Sequence, residues 1–222
     1  MQVIYSKYVK IAMIINIVFF SILNTSFFFM NPNRADGFLI ALTGIIAVGF
    51  QIFEIPYASV FYVISSFLYG LIALDYGLIG EGLANVFVAP VADMIIAISE
   101  ARNERDPDIH IRRENTSTSF VIFAVGISIV GMTIFERLLS IFNSIFSDWE
   151  SFAIIALLWG LVFSYKNKAI QWFFFLVRNA ICLYLWHFIH DRDHIEILWI
   201  FYVINNLLCI LDYAIAKRRQ LL

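Results

Sequence analysis

Charge is what this 222-residue chain has least of: Asp, Glu, Lys and Arg together make up 14% of it. A soluble domain carries roughly a quarter charged residues, so the side chains needed to keep a globular surface wet are missing. There are only two cysteines, Cys182 and Cys209, and both fall inside apolar runs. That placement excludes a disulfide framework and reads as small packing residues. The sequence contains no Gly-x-x-x-x-Gly-Lys phosphate loop and no convincing pairing of a nucleophile with a base. An intramembrane enzyme therefore lacks visible machinery, and no cofactor is expected. A substrate-binding subunit of an ATP-driven importer stays open, because its ATPase would be a separate chain. The net charge of −2 gives no sign of a nucleic-acid partner.

What is present is apolar: 61% of the residues are hydrophobic and 17% aromatic. A bilayer span needs about 20 consecutive apolar residues, and such runs recur along the chain. Eight segments can be drawn, near 11–30, 38–53, 57–74, 78–99, 119–141, 150–165, 169–189 and 195–215. Asn31-Pro32-Asn33, Glu54-Ile55-Pro56 and Asp75-Tyr76-Gly77 punctuate the first three. The first run follows Lys7 and Lys10 as a signal core would, but it is longer than such a core and no small-x-small cleavage site follows. It is expected to be a retained helix. Glu100–Thr118 is the one long polar stretch and reads as a connector.

With eight spans and a cytoplasmic N-terminus, the inner side holds Lys7, Lys10, Arg102, Arg105, Arg112, Arg113, Lys166, Lys168, Lys217, Arg218 and Arg219. The outer connections hold only Arg34 and Arg192. Eleven against two follows the positive-inside rule and predicts both termini in the cytoplasm of a multi-pass inner (plasma) membrane protein. Sliding the chain against itself by 115 positions brings Leu68-Tyr69 onto Leu183-Tyr184, Glu81 onto Glu196 and Phe87 onto Tyr202. These matches fall in two helix triplets, 38–99 and 150–215, separated by one crossing. The expected fold class is therefore all-α and polytopic: a 3+1+3 core of two parallel three-helix repeats. Repeat 1 is 38–99, the linker helix 119–141 and repeat 2 150–215. Residues 1–35 add an N-terminal helix to the 36–222 core.

Leu42-Thr43-Gly44, Leu68-Tyr69-Gly70 and the run from Tyr76 through Glu81 and Asn85 to Pro90 resemble the first half of PnuC-type vitamin and nucleoside transporters. Trp149-Glu150-Ser151, Gln171-Trp172 and Asn179 to Tyr184 resemble the second half. The resemblance spans roughly residues 38 to 220. It implies a fold like that of SWEET-type sugar transporters. It also implies import of nicotinamide riboside, or a related vitamin or nucleoside such as thiamine or a deoxynucleoside, by facilitated diffusion with trapping by a cytoplasmic kinase. The implied partners are a small-molecule substrate and the lipid bilayer, and a homo-oligomer is one of the assembly states left open. The family's Trp-x-x-Trp-x-x-x-Asn motif, which the resemblance assigns to the substrate site, is matched by Trp172 and Asn179, with Phe175 in place of the second Trp. Ala92 stands where a Gln is expected. Both departures bear on which substrate is carried.

The residues themselves point the same way. Trp172, Phe175, Asn179, Cys182 and Trp186 recur at helical spacing and form one stripe. Flat aromatic faces suit a pyridinium, pyrimidine or purine ring, and an amide suits ribose hydroxyls or a carboxamide. The alternative is that the aromatics pack helices and Asn179 bonds a neighbour. Asn85, Asn205 and Asn206 have the same two readings. Glu81 and Glu196 fall near the outer ends of their helices and suggest an exposed structural role. His187, His190 and His194 are spaced like a metal cluster but have no cysteine partner, and no metal site is expected. Asn115-Thr116-Ser117 lies on the cytoplasmic side, where glycosylation does not occur. Arg178 lies about nine residues into its helix, about 13 Å deep, where it needs a partner. Asp93, roughly 9 Å deep from the same side, is the expected partner beside the substrate site.

Overall fold

The computed structural model describes residues 7–31, 35–53, 57–103, 118–165, 170–189 and 193–221. The connector segment 104–117, with Asn115, lies outside them, as do Arg34, His190 and Arg192. Each of the eight apolar segments forms a helix, and among the described residues there is no strand. The helices are α1 (Lys7–Met30), α2 (Ala35–Ile52) and α3 (Ala58–Asp75), then α4, followed by α5 (Thr118–Ile141), α6 (Ser147–Tyr165), α7 (Gln171–His187) and α8 (Asp193–Leu221). Helix α4 runs in three continuous pieces: Ile79–Leu83, a π-helical turn Ala84–Val88, and Ala89–Asn103.

Six helices (α1, α2, α3, α5, α6 and α8) are long and apolar enough to cross a membrane. Their outward residues are large and apolar, as on α5, where Ile122, Phe123, Ile129 and Val130 are exposed. A helix face of this kind is stable against hydrocarbon because every backbone group is bonded within the helix. The other two helices fall short, each in its own way. Helix α7 has 17 residues and carries Arg178, while α4 is interrupted by the π-turn and carries Glu81 and Asp93.

Helices α2, α3 and α4 pack in sequence, as do α6, α7 and α8. The two groups meet where α2 lies on α8 and where α4 lies on α6. Helix α5 packs on α6, and α1 lies across α2 and α8. The buried stripe of α1 is Val9, Met13, Asn16, Phe20 and Asn24, one residue per turn. Asn24 anchors it: Nδ2 donates to the Phe38 carbonyl (3.3 Å) and Oδ1 lies 2.6 Å from His194 Nδ1. His194 is thus part of a buried helix contact, while His187 is exposed and pairs with Glu196 at 3.3 Å. The two histidines serve different contacts.

The start of α4 is not at the surface. Gly77 turns the chain at φ 75°, a left-handed conformation that favours glycine. Leu78 is then fully buried. The turn before α6 covers it: the Ile145 N–H donates to the Gly77 carbonyl (3.3 Å), and Ser144 Oγ accepts from the Ile79 N–H (3.3 Å) while donating to Glu150 Oε1 (2.7 Å). The Gly80 N–H donates to Glu150 Oε2. The open N–H groups at a helix start need acceptors, and a carboxylate there also meets the positive end of the helix dipole. Buried Glu150 is therefore the cap of α4, supplied from another helix.

Candidate functional site

A cavity of about 280 Å³ opens between the two helix groups. Many of its lining residues lie at one end of the helices: Gln51 and Ile52 close α2, Ala58 and Ser59 open α3, Ser164 closes α6, and Gln171 and Trp172 open α7. Met13 of α1 reaches the same wall. Towards the opposite, closed end the lining stops at Tyr69, Asn85, Arg178, Leu198 and Trp199.

The wall residues correspond in pairs. Helices α6, α7 and α8 begin 112, 113 and 114 residues after α2, α3 and α4. At a spacing of 113, Ser59 matches Trp172, Tyr62 matches Phe175, Ser66 matches Asn179, Ala89 matches Tyr202 and Asp93 matches Asn206, and all ten line the cavity. The 115-residue register expected from identities is therefore off by two. It matched Tyr69, which is buried, to Tyr184, which is exposed on the outside. At 113, Tyr69 corresponds to Cys182 and Glu81 to His194, all four buried.

At the closed end sits an ionic node. Arg178 Nη2 donates to Glu81 Oε2 (3.0 Å) and to Asn85 Oδ1 (3.1 Å). Asn85 Nδ2 donates to the Glu81 carbonyl (2.7 Å) and to Glu81 Oε2 (3.0 Å). Trp186 Nε1 donates to the Tyr69 hydroxyl (2.8 Å), which donates in turn to Glu81 Oε2 at 3.4 Å. The Arg178 guanidinium lies 5.0 Å from the Trp199 ring centre, within cation–π range. Glu81 is 0% and Arg178 7% exposed. Four helices, α3, α4, α7 and α8, are thus tied together by one charge pair in a low-dielectric interior.

Among the expected site residues, Trp172, Phe175 and Asn179 line the cavity together. Phe175 is seated against Gly160, where an added Cβ would lie 2.6 Å from the ring. Asn85 also lines the cavity, but its amide is engaged by Glu81 and Arg178 rather than offered to a ligand. Trp186 is fully buried beyond the closed end, against Tyr69 and Tyr76. Asp93 lines the cavity, yet the carboxylate that Arg178 binds is Glu81, twelve residues earlier on α4 and so ~18 Å along the helix. The expected exposed role for Glu81 is overturned as well, because the start of α4 is itself buried. Tyr62, Tyr69 and Trp199 escaped sequence reasoning. Glu81 carried a signal in being an acid between apolar residues in a predicted span.

Among curated proteins none matches this sequence. A solved structure titled as the vitamin B3 transporter PnuC matches with a TM-score of 0.75 at 16% identity, over 97% of this chain and 94% of that one. At that identity the likeness concerns the fold, and its coverage takes in most of α1. The family model described as nicotinamide mononucleotide transporter matches residues 37–214, from the start of α2 to near the end of α8. Family and structural neighbour are both transporters, which removes the enzyme reading, and the chain belongs to the PnuC-type nicotinamide mononucleotide transporter family.

Proposed function

We propose that this protein carries an unphosphorylated nucleoside-like vitamin, nicotinamide riboside or a close relative, across the inner membrane by facilitated diffusion. A cytoplasmic kinase would then trap the product. The observation that carries the reading is the cavity itself. It has an aromatic wall on α7, a hydroxyl wall on α3, one end at the helix termini and the other bounded by the buried Arg178–Glu81 pair. Trp172 and Phe175 offer surfaces on which a ring stacks, at about 1–3 kcal/mol per base. Ser59, Tyr62 and Ser66 face them with groups that bond ribose. A phosphate would need a cation of its own. Among the described residues that line the cavity the cation is Arg178, already balanced by Glu81, and Asp93 adds a negative charge.

The architecture supports two parallel repeats, α2–α4 and α6–α8, linked by α5 and preceded by α1. In the orientation favoured by the basic residues, the end of the cavity where α6 closes and α7 opens faces the cytoplasm and the ionic node faces outward. Such a state is one half of an alternating-access cycle. The test is uptake of radiolabelled nicotinamide riboside by liposomes holding only the purified protein. Equilibration without ATP or an ion gradient is expected. Accumulation above the outside concentration that an ionophore abolishes would sink the facilitated mechanism, and dependence on an added ATPase would favour the importer-subunit reading.

A further inference from the structure

Arg178 is more than a structural cation. Its contacts to Glu81 and Asn85 both run through Nη2, and Nε has no partner among the described residues. A guanidinium carries five N–H donors, and buried donors in folded proteins are nearly always bonded. Trp199 covers one face of the group, which leaves its edge for further bonding. Arg178 is 93% buried and still lines the cavity, one residue before Asn179. An acceptor atom of a bound molecule, lodged at the closed end, would complete it.

Glu81 determines which acceptor. Its carboxylate balances the arginine, so the node has no net formal charge, and Glu81 Oε1 also lacks a partner among the described residues. A carbonyl oxygen takes the arginine's spare donor without altering that balance. A carboxylate brings a second negative charge into a buried site that already holds one, and the cost of an uncompensated charge there is high.

We propose that the Arg178–Glu81 pair is the specificity-determining floor of the cavity: Arg178 contacts the substrate's uncharged acceptor, such as a ring carboxamide, and Glu81 excludes the corresponding acid. This rests on the carrier reading above. The experiment measures binding of nicotinamide riboside and nicotinic acid riboside to the purified full-length protein in detergent. The forms compared are wild type, Glu81→Gln and the double variant Glu81→Gln with Arg178→Gln. Wild type is expected to favour the amide by about tenfold or more. Glu81→Gln leaves the arginine unbalanced and should shift the amide-to-acid ratio towards the acid by about tenfold or more. The double variant removes both charges, so it should fold readily, bind the amide about tenfold more weakly and show no such shift. A wild-type ratio in folded Glu81→Gln overturns the inference. So does wild-type amide affinity in the double variant, which decides the matter if Glu81→Gln alone does not fold. Wild-type protein that binds neither compound overturns the carrier reading itself, and the inference with it.

Discussion

Helices α3 and α7 face one cavity from equivalent positions and present opposite chemistry. Ser59, Tyr62, Ser65 and Ser66 on α3 precede Trp172, Phe175, Arg178 and Asn179 on α7 by 113 residues. On α3 two of these polar groups bond to the neighbouring α2: Ser65 Oγ donates to the Ile40 carbonyl (3.3 Å) and Tyr62 Oη to Gln51 Oε1 (2.6 Å). On α7 the groups are large and reach across the molecule, Arg178 to α4 and Trp186 to α3. One backbone plan used twice gives a cavity with two unlike sides, and unlike sides are what orient an asymmetric ligand. The cost is that α7 carries a buried arginine within a 17-residue helix.

That comparison can be broken most forcefully at Ser65 and Arg178. Arg178→Ala leaves Glu81 buried and unbalanced and should destabilise the protein by about 3–5 kcal/mol. Ser65→Ala loses the bonds to the Ile40 carbonyl and the Tyr202 hydroxyl but strands no charge, and should cost about 1–2 kcal/mol. Removing Glu81 as well as Arg178 should cost less than the sum of the single losses, since each single variant includes the penalty of a stranded charge. Denaturant or thermal unfolding in detergent of all four variants checks this. Equal losses at 65 and 178, or additivity of the pair, would make the walls energetically alike.

The next contrast concerns ligand rather than stability. Trp172→Ala should weaken substrate binding by about 1–3 kcal/mol through the lost stacking surface, with the protein still folded. Ser59→Ala at the matching position removes one hydroxyl and should cost about 0.5–1.5 kcal/mol. Titration calorimetry on both would show whether the α7 wall holds the ring. Equal affinity in Trp172→Ala and wild type would return that wall to simple helix packing. Asn179→Ala against Ser66→Ala sharpens the same contrast about two turns deeper. About 1–3 kcal/mol is expected for the amide, whose removal strands its ligand partner, and less for the serine.

Much of this was legible in the sequence, for identifiable reasons. Helices that meet lipid must be long apolar runs, so all eight declared themselves, and α7's stripe followed from the 3.6-residue period alone. The partner of Arg178 did not, because depth was counted along straight helices from surfaces assumed level. Helix α4 starts below such a surface, under the 144–150 turn, with Leu78 buried and Gly80 capped by Glu150. Nothing local to Glu81 announces a cover whose bonds to Ile79 and Gly80 come from 65 and 70 positions away. The repeat register failed for a related reason. Identities between Tyr69 and Tyr184 outweighed environment, and one of those tyrosines packs in the interior while the other is exposed on the outer surface.

The gentlest way to test the unlike walls is to make them alike at one position. Tyr62 on α3 corresponds to Phe175 on α7, and the two differ chiefly by the hydroxyl that donates to Gln51. Tyr62→Phe puts the same side chain on both walls, keeps the ring and its packing, and leaves the Gln51 carbonyl oxygen without its donor. Gln51 lines the cavity at the end of α2 and is half-buried, so water can replace the donor it loses. The stability loss should therefore stay near 0.5–1.5 kcal/mol, the net worth of an ordinary hydrogen bond. Substrate affinity depends on what the hydroxyl does in the complex. If it only braces Gln51, binding should change by less than about threefold, under 0.7 kcal/mol. Thermal unfolding and calorimetry on the same preparation separate these two quantities. A loss of affinity as large as that of Trp172→Ala, with stability unchanged, would mean that the tyrosine hydroxyl contacts the ligand directly. The α3 wall would then match α7 in energy as well as in position.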